Sequence, residues 1–379
     1  MVLKLNNEQE MVVKFARDFA EKEIAPIAAE IDKTGVYPEE LLNKLKKAGF
    51  FGMNFPREYG GAGIDYLTYI MVCEEIGKAC ASTAVILGGN NSLSAWPIYQ
   101  YGTPEQKEKY LKLLCTGEKI GAFALTEPNA GSDAASQQTT AVLDGDEWVL
   151  NGTKIFITNG GLAETYIVIA MTDKNQGTKG ISAFIVEYPT AGFTIGKKEE
   201  KMGLHGSSTT ELIFENCRIP KENLLGKVGK GFNIAMATLD GGRIGVAIDA
   251  VAIAQRAIDE SVKYVKQRVQ FGKPIARNQA IQFMLADMET RTSAARLLTY
   301  DAAIKKMNNI PCTKESAMAK LYAAEVAMWV TTKAVQLFGG YGYTTDYPVE
   351  RLMREAKIQE IFEGTSEVQR MVIAGQILR

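Results

Sequence analysis

Glu147-Trp148-Val149-Leu150-Asn151-Gly152-Thr153-Lys154-Ile155-Phe156-Ile157-Thr158 is the stretch whose reading decides the fold. Two runs rich in β-branched and aromatic residues flank an Asn-Gly pair. That pair suits a two-residue turn, so the stretch predicts a β-hairpin. Further short β-branched runs follow over 166–171 and 181–186, and another strand is expected over 210–219. Residues 121–225 therefore read as a β domain, sandwich or barrel.

On both sides of it the period is helical. Residues 1–120 open with Met11, Val12, Phe15, Phe19, Ile24 and Ile27 at helical spacing behind possible caps at Asn6 and Asn7. A second helix is expected over 38–48, a loop at Gly60-Gly61-Ala62-Gly63, and buried helical runs over 66–76 and 79–87. Thr103-Pro104-Glu105-Gln106 is a helix start: threonine caps, proline loses no bond in the first turn, and glutamine completes a capping box. In 226–379 the apolar runs 231–270, 278–308, 313–338, 346–362 and 366–378, joined by short connections, predict a helical bundle.

The chain has 379 residues, 46% of them apolar, and a net charge of −1. That is ample for a large core in two or three domains, and it offers no broad basic field for nucleic acid or an anionic membrane. Residues 1–10 have neither a basic n-region nor an apolar h-region, so no signal peptide is expected. No apolar run reaches the roughly 18 residues of a spanning helix, and a cytoplasmic protein is expected. Cys73, Cys80, Cys115, Cys217 and Cys312 form no CxxC pair, which fits packed thiols in a reducing compartment. His205 is the sole histidine, so a histidine-rich metal site is excluded, and a base, if the chain is an enzyme, is expected to be a carboxylate. No strand-linked GxGxxG and no P-loop are present.

Two stretches carry candidate chemistry. In Ile361-Phe362-Glu363-Gly364-Thr365-Ser366-Glu367 a carboxylate stands where one helical run hands over to the next, among apolar neighbours that can raise its pKa. On spacing alone the ordinary account is a solvated loop glutamate. In Phe123-Ala124-Leu125-Thr126-Glu127-Pro128-Asn129-Ala130-Gly131-Ser132-Asp133, small and hydroxyl-bearing residues would let backbone N–H groups approach a polar ligand; a surface crossover is the plainer account.

Together with the 151–160 segment, Gln267-Arg268-Val269-Gln270-Phe271-Gly272 and Gln336-Leu337-Phe338-Gly339-Gly340-Tyr341-Gly342, these stretches resemble the acyl-CoA dehydrogenase family, in the family's order and across the whole chain. The resemblance implies an α+β fold: an N-terminal helical domain (1–120), a middle β-barrel or sandwich domain (121–225) and a C-terminal four-helix-bundle domain (226–379). It implies one FAD per subunit. Phe123, Leu125, Thr126, Gly131 and Ser132, with Phe156, Ile157 and Thr158, would line the flavin. Arg268, Gln279, Gln336, Leu337, Phe338, Gly339 and Gly340 would hold the pyrophosphate and adenosine side, largely for a neighbouring subunit of a homotetramer. Thr365, Ser366 and Glu367 would also touch FAD.

By the same resemblance Glu363 is the catalytic base of an α,β-desaturation. It removes the α-proton of an acyl thioester while flavin N5 accepts hydride from Cβ. Ser132, Asp240, Arg243 and Gly364 would contact the substrate. Some branches of the family carry the base on the helix at the position of Gly242, which here cannot act. Asn90-Asn91-Ser92-Leu93 resembles the short-chain, butyryl-CoA-using branch, and an electron-transfer flavoprotein is the implied redox partner. A different chain-length or branched specificity and a non-catalytic flavoprotein remain the alternatives. Phe156 and His205 depart from tryptophan and arginine, the residues frequent at those positions.

Overall fold

The computed structural model describes residues 5–378; of the segment read for a targeting signal, residues 1–4 lie outside the described residues. Among the described residues no helix is long and apolar enough to cross a membrane.

The chain begins with α1 (Asn7–Phe19). Asn6 Oδ1 accepts from Gln9 N–H at 2.9 Å, and Gln9 Oε1 accepts from Asn6 N–H at 3.0 Å. This reciprocal box satisfies two of the donors a helix start leaves open. After α2 (Glu39–Lys47) come α3 (Tyr66–Ala79), capped by Asp65, and α4 (Ala81–Gly88). Both are apolar on most positions and buried on nearly every face, with Glu74 and Glu75 buried among them. Beyond α4 the coil widens into a π-helical turn, Gly89–Ala95. Asn90 and Asn91 use that turn as staples. Asn90 accepts from Gly121 N–H at 2.9 Å and donates to Leu114 O, while Asn91 accepts from Gly52 N–H and donates to Phe50 O.

The β unit holds β1 (Gly121–Ala124), β2 (Thr140–Asp144), β3 (Glu147–Thr158), β4 (Thr165–Met171), β5 (Ile181–Glu187), β6 (Phe193–Lys198), β7 (Thr209–Pro220) and β8 (Leu224–Leu225). The sheet order is β6-β7-β3-β2-β4-β5-β8, with β1 parallel to β4. All of β4 and nearly all of β5 is buried. The expected hairpin at Asn151-Gly152 is wrong. β3 runs through the pair unbroken, and its turn to β2 lies at Gly145, where φ is +63°. Asn151-Gly152 is instead a bulge, where the register against β7 jumps between Leu150 and Gly152. The asparagine accepts from Asn216 N–H across the sheet at 2.8 Å. The glycine is required by close approach: a Cβ there would lie 2.6 Å from Thr139 Oγ1. The composition that signals a turn here serves a crowded crossing of strands.

The C-terminal helices are α5 (Gly231–Gln267), α6 (Gln279–Met307), α7 (Thr313–Phe338), α8 (Val349–Gln359) and α9 (Ser366–Ile377). α7 packs on α5, α6, α8 and α9 through a face of small residues that includes Ala319, Ala323 and Ala327. α5 also packs on α3, α4 and β5. It is therefore the element along which all three regions meet, and the principal cavity opens beside it.

Candidate active site

Between α8 and α9 the chain makes a turn that presents Glu363. Its φ is +52° and that of Gly364 is +96°. A left-handed φ at a side-chain-bearing residue costs about 1–3 kcal/mol and persists only when its surroundings enforce it. They do so from behind. Lys320 Nζ, from the buried face of α7, donates to Gly364 O at 2.7 Å. Gln369 Nε2 donates to Gly364 O at 2.9 Å and to Glu363 O at 3.2 Å. Thr365 Oγ1 caps α9 by accepting from Val368 N–H at 3.3 Å.

The turn aims the Glu363 carboxyl at Gly242 on α5. A Cβ at residue 242 would stand 2.0 Å from Glu363 Oε2, so the missing side chain is what leaves room for the carboxylate. Oε2 is buried and has no hydrogen-bond partner. Burial pushes Glu363 up to about 7, against the opposing cations of Lys320 and Arg243. Lys320 is itself pushed down to about 8 by burial. The Glu363 amide N–H donates no hydrogen bond among the described residues and is free for a ligand.

This carboxyl faces a cavity of about 710 Å³ that Phe123, Leu125, Thr126, Gly131 and Ser132 line from the β side. Phe156, Ile157 and Thr158 extend that wall, and Arg243, Gly364 and Thr365 close the helical side. Phe156, with φ +56° and 60% exposed, is a second side-chain-bearing residue held left-handed. The two wall segments are tied by Lys154, fully buried beneath them. Its Nζ donates to Leu125 O at 3.0 Å, Glu127 Oε1 at 2.7 Å and Gln137 Oε1 at 3.1 Å. Glu127 also accepts from the Gln138 and Thr139 amides. Burial pushes Lys154 down to about 8. Burial would raise Glu127, yet the Lys154 cation holds it below its ordinary value.

A second, open hollow of about 480 Å³ gathers Arg268, Gln336, Leu337, Phe338, Gly339 and Gly340. Four expected site residues lie in neither space. Gln279 is exposed at the start of α6, and Glu367 is exposed at the start of α9. Ser366 is buried beside Glu367 with its Oγ unpartnered. Asp240 does not line the cavity: it accepts from Arg243 Nη1 at 2.8 Å and from Thr313 Oγ1 at 2.6 Å, and so orients the arginine. His205 is a staple, with its ring nitrogens against the carbonyls of Asp32 and Lys201. Among the described residues no three His, Cys, Asp or Glu side chains cluster as a metal site would need.

Three family models cover nearly the whole chain: the acyl-CoA dehydrogenase N-terminal domain over 6–118, the middle domain over 122–217 and the C-terminal domain over 229–378. The chain belongs to the acyl-CoA dehydrogenase family. It is 57% identical over 379 residues to the "Acyl-CoA dehydrogenase, short-chain specific" of Clostridium acetobutylicum, covering 100% of both. It superposes on the butyryl-CoA dehydrogenase of Megasphaera elsdenii with a TM-score of 0.98 at 54% identity, covering 100% of both chains. A chain from a structure on the electron transferring flavoprotein of Acidaminococcus fermentans matches with a TM-score of 0.99 at 56% identity, again covering 100% of both.

For a member of this flavin-dependent family, the sequence reading singled out a carboxylate, Glu363, and a β-side segment that the structure brings to one cavity. It missed Lys320, Gln369 and Lys154. Lys320 left one signal: a lysine flanked in helical register by Ser316, Ala317, Ala323 and Ala324, all buried. A cation amid small residues on an inward face needs a buried acceptor.

Proposed function

We propose that this acyl-CoA dehydrogenase interconverts butyryl-CoA and crotonyl-CoA, or thioesters of similar length, and exchanges the electrons with an electron-transfer flavoprotein. The observation that carries the reading is the unpartnered, buried Glu363 Oε2 facing the space left by Gly242. A carboxyl raised to about 7 is poised to take a weakly acidic proton near neutral pH.

The residues present fit FAD. The long wall of Leu125, Thr126, Ile157 and Thr158 offers apolar surface beside hydroxyl and backbone donors, and the hollow at Arg268 and Gly339–Gly340 offers a cation next to bare backbone. FAD would supply the two-electron acceptor when bound. The protein's own work is positional. Lys320 and Gln369 hold the turn, Gly242 leaves the carboxylate its space, and the Glu363 N–H is free to donate to the thioester oxygen as negative charge develops there. Arg243, kept in place by Asp240, puts a positive charge in the cavity wall close enough to act on Glu363. The open hollow at Arg268 and the near-full exposure of Phe271, at 99%, support completion of the site by a second copy in a homotetramer. A cytoplasmic location belongs to the same proposal.

The test is an anaerobic titration of the purified protein with butyryl-CoA, alongside octanoyl-CoA and glutaryl-CoA. Bleaching of the flavin's visible band is expected with butyryl-CoA first. Glu363→Gln should still bind the thioester without bleaching. Near-normal bleaching by that variant would remove Glu363 from the mechanism.

A further inference from the structure

The face of α5 along the cavity runs through Met236, Leu239, Gly242, Val246 and Asp249, at steps of three and four. Gly242 marks the level of the base. Asp249 stands about 10 Å farther along the helix axis, on the side away from Met236 and Leu239, which pack in one cluster with Phe123, Leu125 and Ala134 of the β-side segment. It is 6% exposed and borders the cavity, and its carboxyl makes no hydrogen bond among the described residues. A carboxyl so buried without a partner is costly and calls for a ligand. Its surroundings are polar for the end of an alkyl tunnel. Tyr69, Cys73 and Ser92 border the same space, with the Tyr69 hydroxyl 3.4 Å from Ser92 Oγ.

We propose that this deep end, Asp249 with Tyr69, Cys73 and Ser92, takes the tip of an acyl chain bearing a neutral hydrogen-bonding group, with a hydroxyl on the fifth carbon fitting best. The assignment rests on the reading of the cavity as an acyl-CoA site. The length follows from geometry. Starting at the α-carbon beside Glu363, an extended chain advances about 1.3 Å per bond. A four-carbon chain therefore ends only about 2.5 Å deeper and leaves the carboxyl unmet. A hydroxyl on carbon five lies about 5 Å deeper, and the Asp249 side chain leans back along α5 towards it. The charge class follows from the neighbours. No cation faces Asp249, and burial and the nearby Glu363 raise its carboxyl above the ordinary range, which favours the protonated form that both donates and accepts. A terminal carboxylate would find no counter-ion there, and an ammonium would have to ionise a buried acid.

The test measures binding alone, by calorimetry on the FAD-loaded protein, of pent-2-enoyl-CoA and 5-hydroxypent-2-enoyl-CoA, which are already dehydrogenated. The hydroxylated thioester should bind about fivefold tighter to the wild type, the size of one net hydrogen bond. Asp249→Val should reverse the preference, and Asp249→Asn, which keeps a donor and an acceptor, should retain it. Equal or weaker binding of the hydroxylated thioester by the wild type would overturn the proposal, as would an unchanged ratio in Asp249→Val. Because nothing is turned over, failure of butyryl-CoA to bleach the flavin would count against the proposed function and leave this ratio decisive for the polar end.

Discussion

Replacing Gly242 with alanine tests how the proposed base, Glu363, is accommodated. The added Cβ would lie 2.0 Å from Glu363 Oε2, 2.9 Å from Glu363 Cδ and 2.9 Å from Leu93 Cδ2. Real side-chain carbons do not come within 3.0 Å of such atoms, so the carboxylate must withdraw by at least about 1 Å. A catalytic group misplaced by that much costs about 100-fold in rate. The fold should scarcely notice. The clash falls on the end of a flexible side chain, and alanine favours a helix interior over glycine by about 1 kcal/mol. The signature is thus a rate loss without a stability loss. Anaerobic stopped-flow reduction of the flavin by butyryl-CoA should slow about 100-fold, while melting temperature and crotonyl-CoA affinity stay close to wild type. Reduction within about threefold of wild type in a folded, flavin-loaded variant would refute the idea that the empty position at 242 sets the working place of Glu363.

The pH dependence offers three more tests. In the free enzyme, kcat/KM for butyryl-CoA should fall about tenfold per pH unit below about 7, because only the carboxylate form of Glu363 can take the proton. Lys320→Met removes a cation that holds Glu363 down, so this limb should move to higher pH; a limb that stays put would leave Lys320 a structural role only. Glu363 also bears on stability. Its folded value of about 7 exceeds the ordinary 4.5, so the native state pays for an unwelcome negative charge once pH rises through 7, and is spared that cost below 4.5. Thermal denaturation of Glu363→Gln should therefore show a higher melting temperature than wild type at pH 8, with the gap closing as pH falls towards 4.5. A gap independent of pH would contradict the raised value.

What was legible in the sequence was local. The Thr103 capping box forms as read: Thr103 Oγ1 accepts from Gln106 N–H at 3.2 Å, and Gln106 Oε1 accepts from Thr103 N–H at 3.1 Å. Each partner lies within one turn, so spacing alone specifies the contact. The helical runs around a β unit were legible for the same reason, since period is a local property. Asn151-Gly152 failed because the glycine answers to Thr139 and the asparagine to Asn216, contacts fixed by sheet register and invisible to a window of a few residues. The widening of the coil at Gly89–Ala95 was likewise hidden, since its two asparagines bond to Phe50, Gly52, Leu114 and Gly121.

The candidate site divides along the same line. Most of the expected site residues border a cavity and stand in short contiguous runs, so they can be read as a pattern, whereas Asp240, Gln279, Ser366 and Glu367 line neither space. The residues that make Glu363 usable are single and distant: Gly242 by what it lacks, Lys320 through one bond to a carbonyl, and Arg243 through its charge. Gly242 and Arg243 are not chemically unusual where they stand in the chain, and Lys320 shows only as a cation among small residues. Each acquires its role only when α5 and α7 are laid against the turn at residues 360–365. A carboxylate in the same motif but without that backing would face solvent near its ordinary pKa, and its φ of +52° would have nothing to enforce it. The motif names Glu363 as the proposed base, and the packing of two helices behind it sets the position and charge environment of that carboxylate.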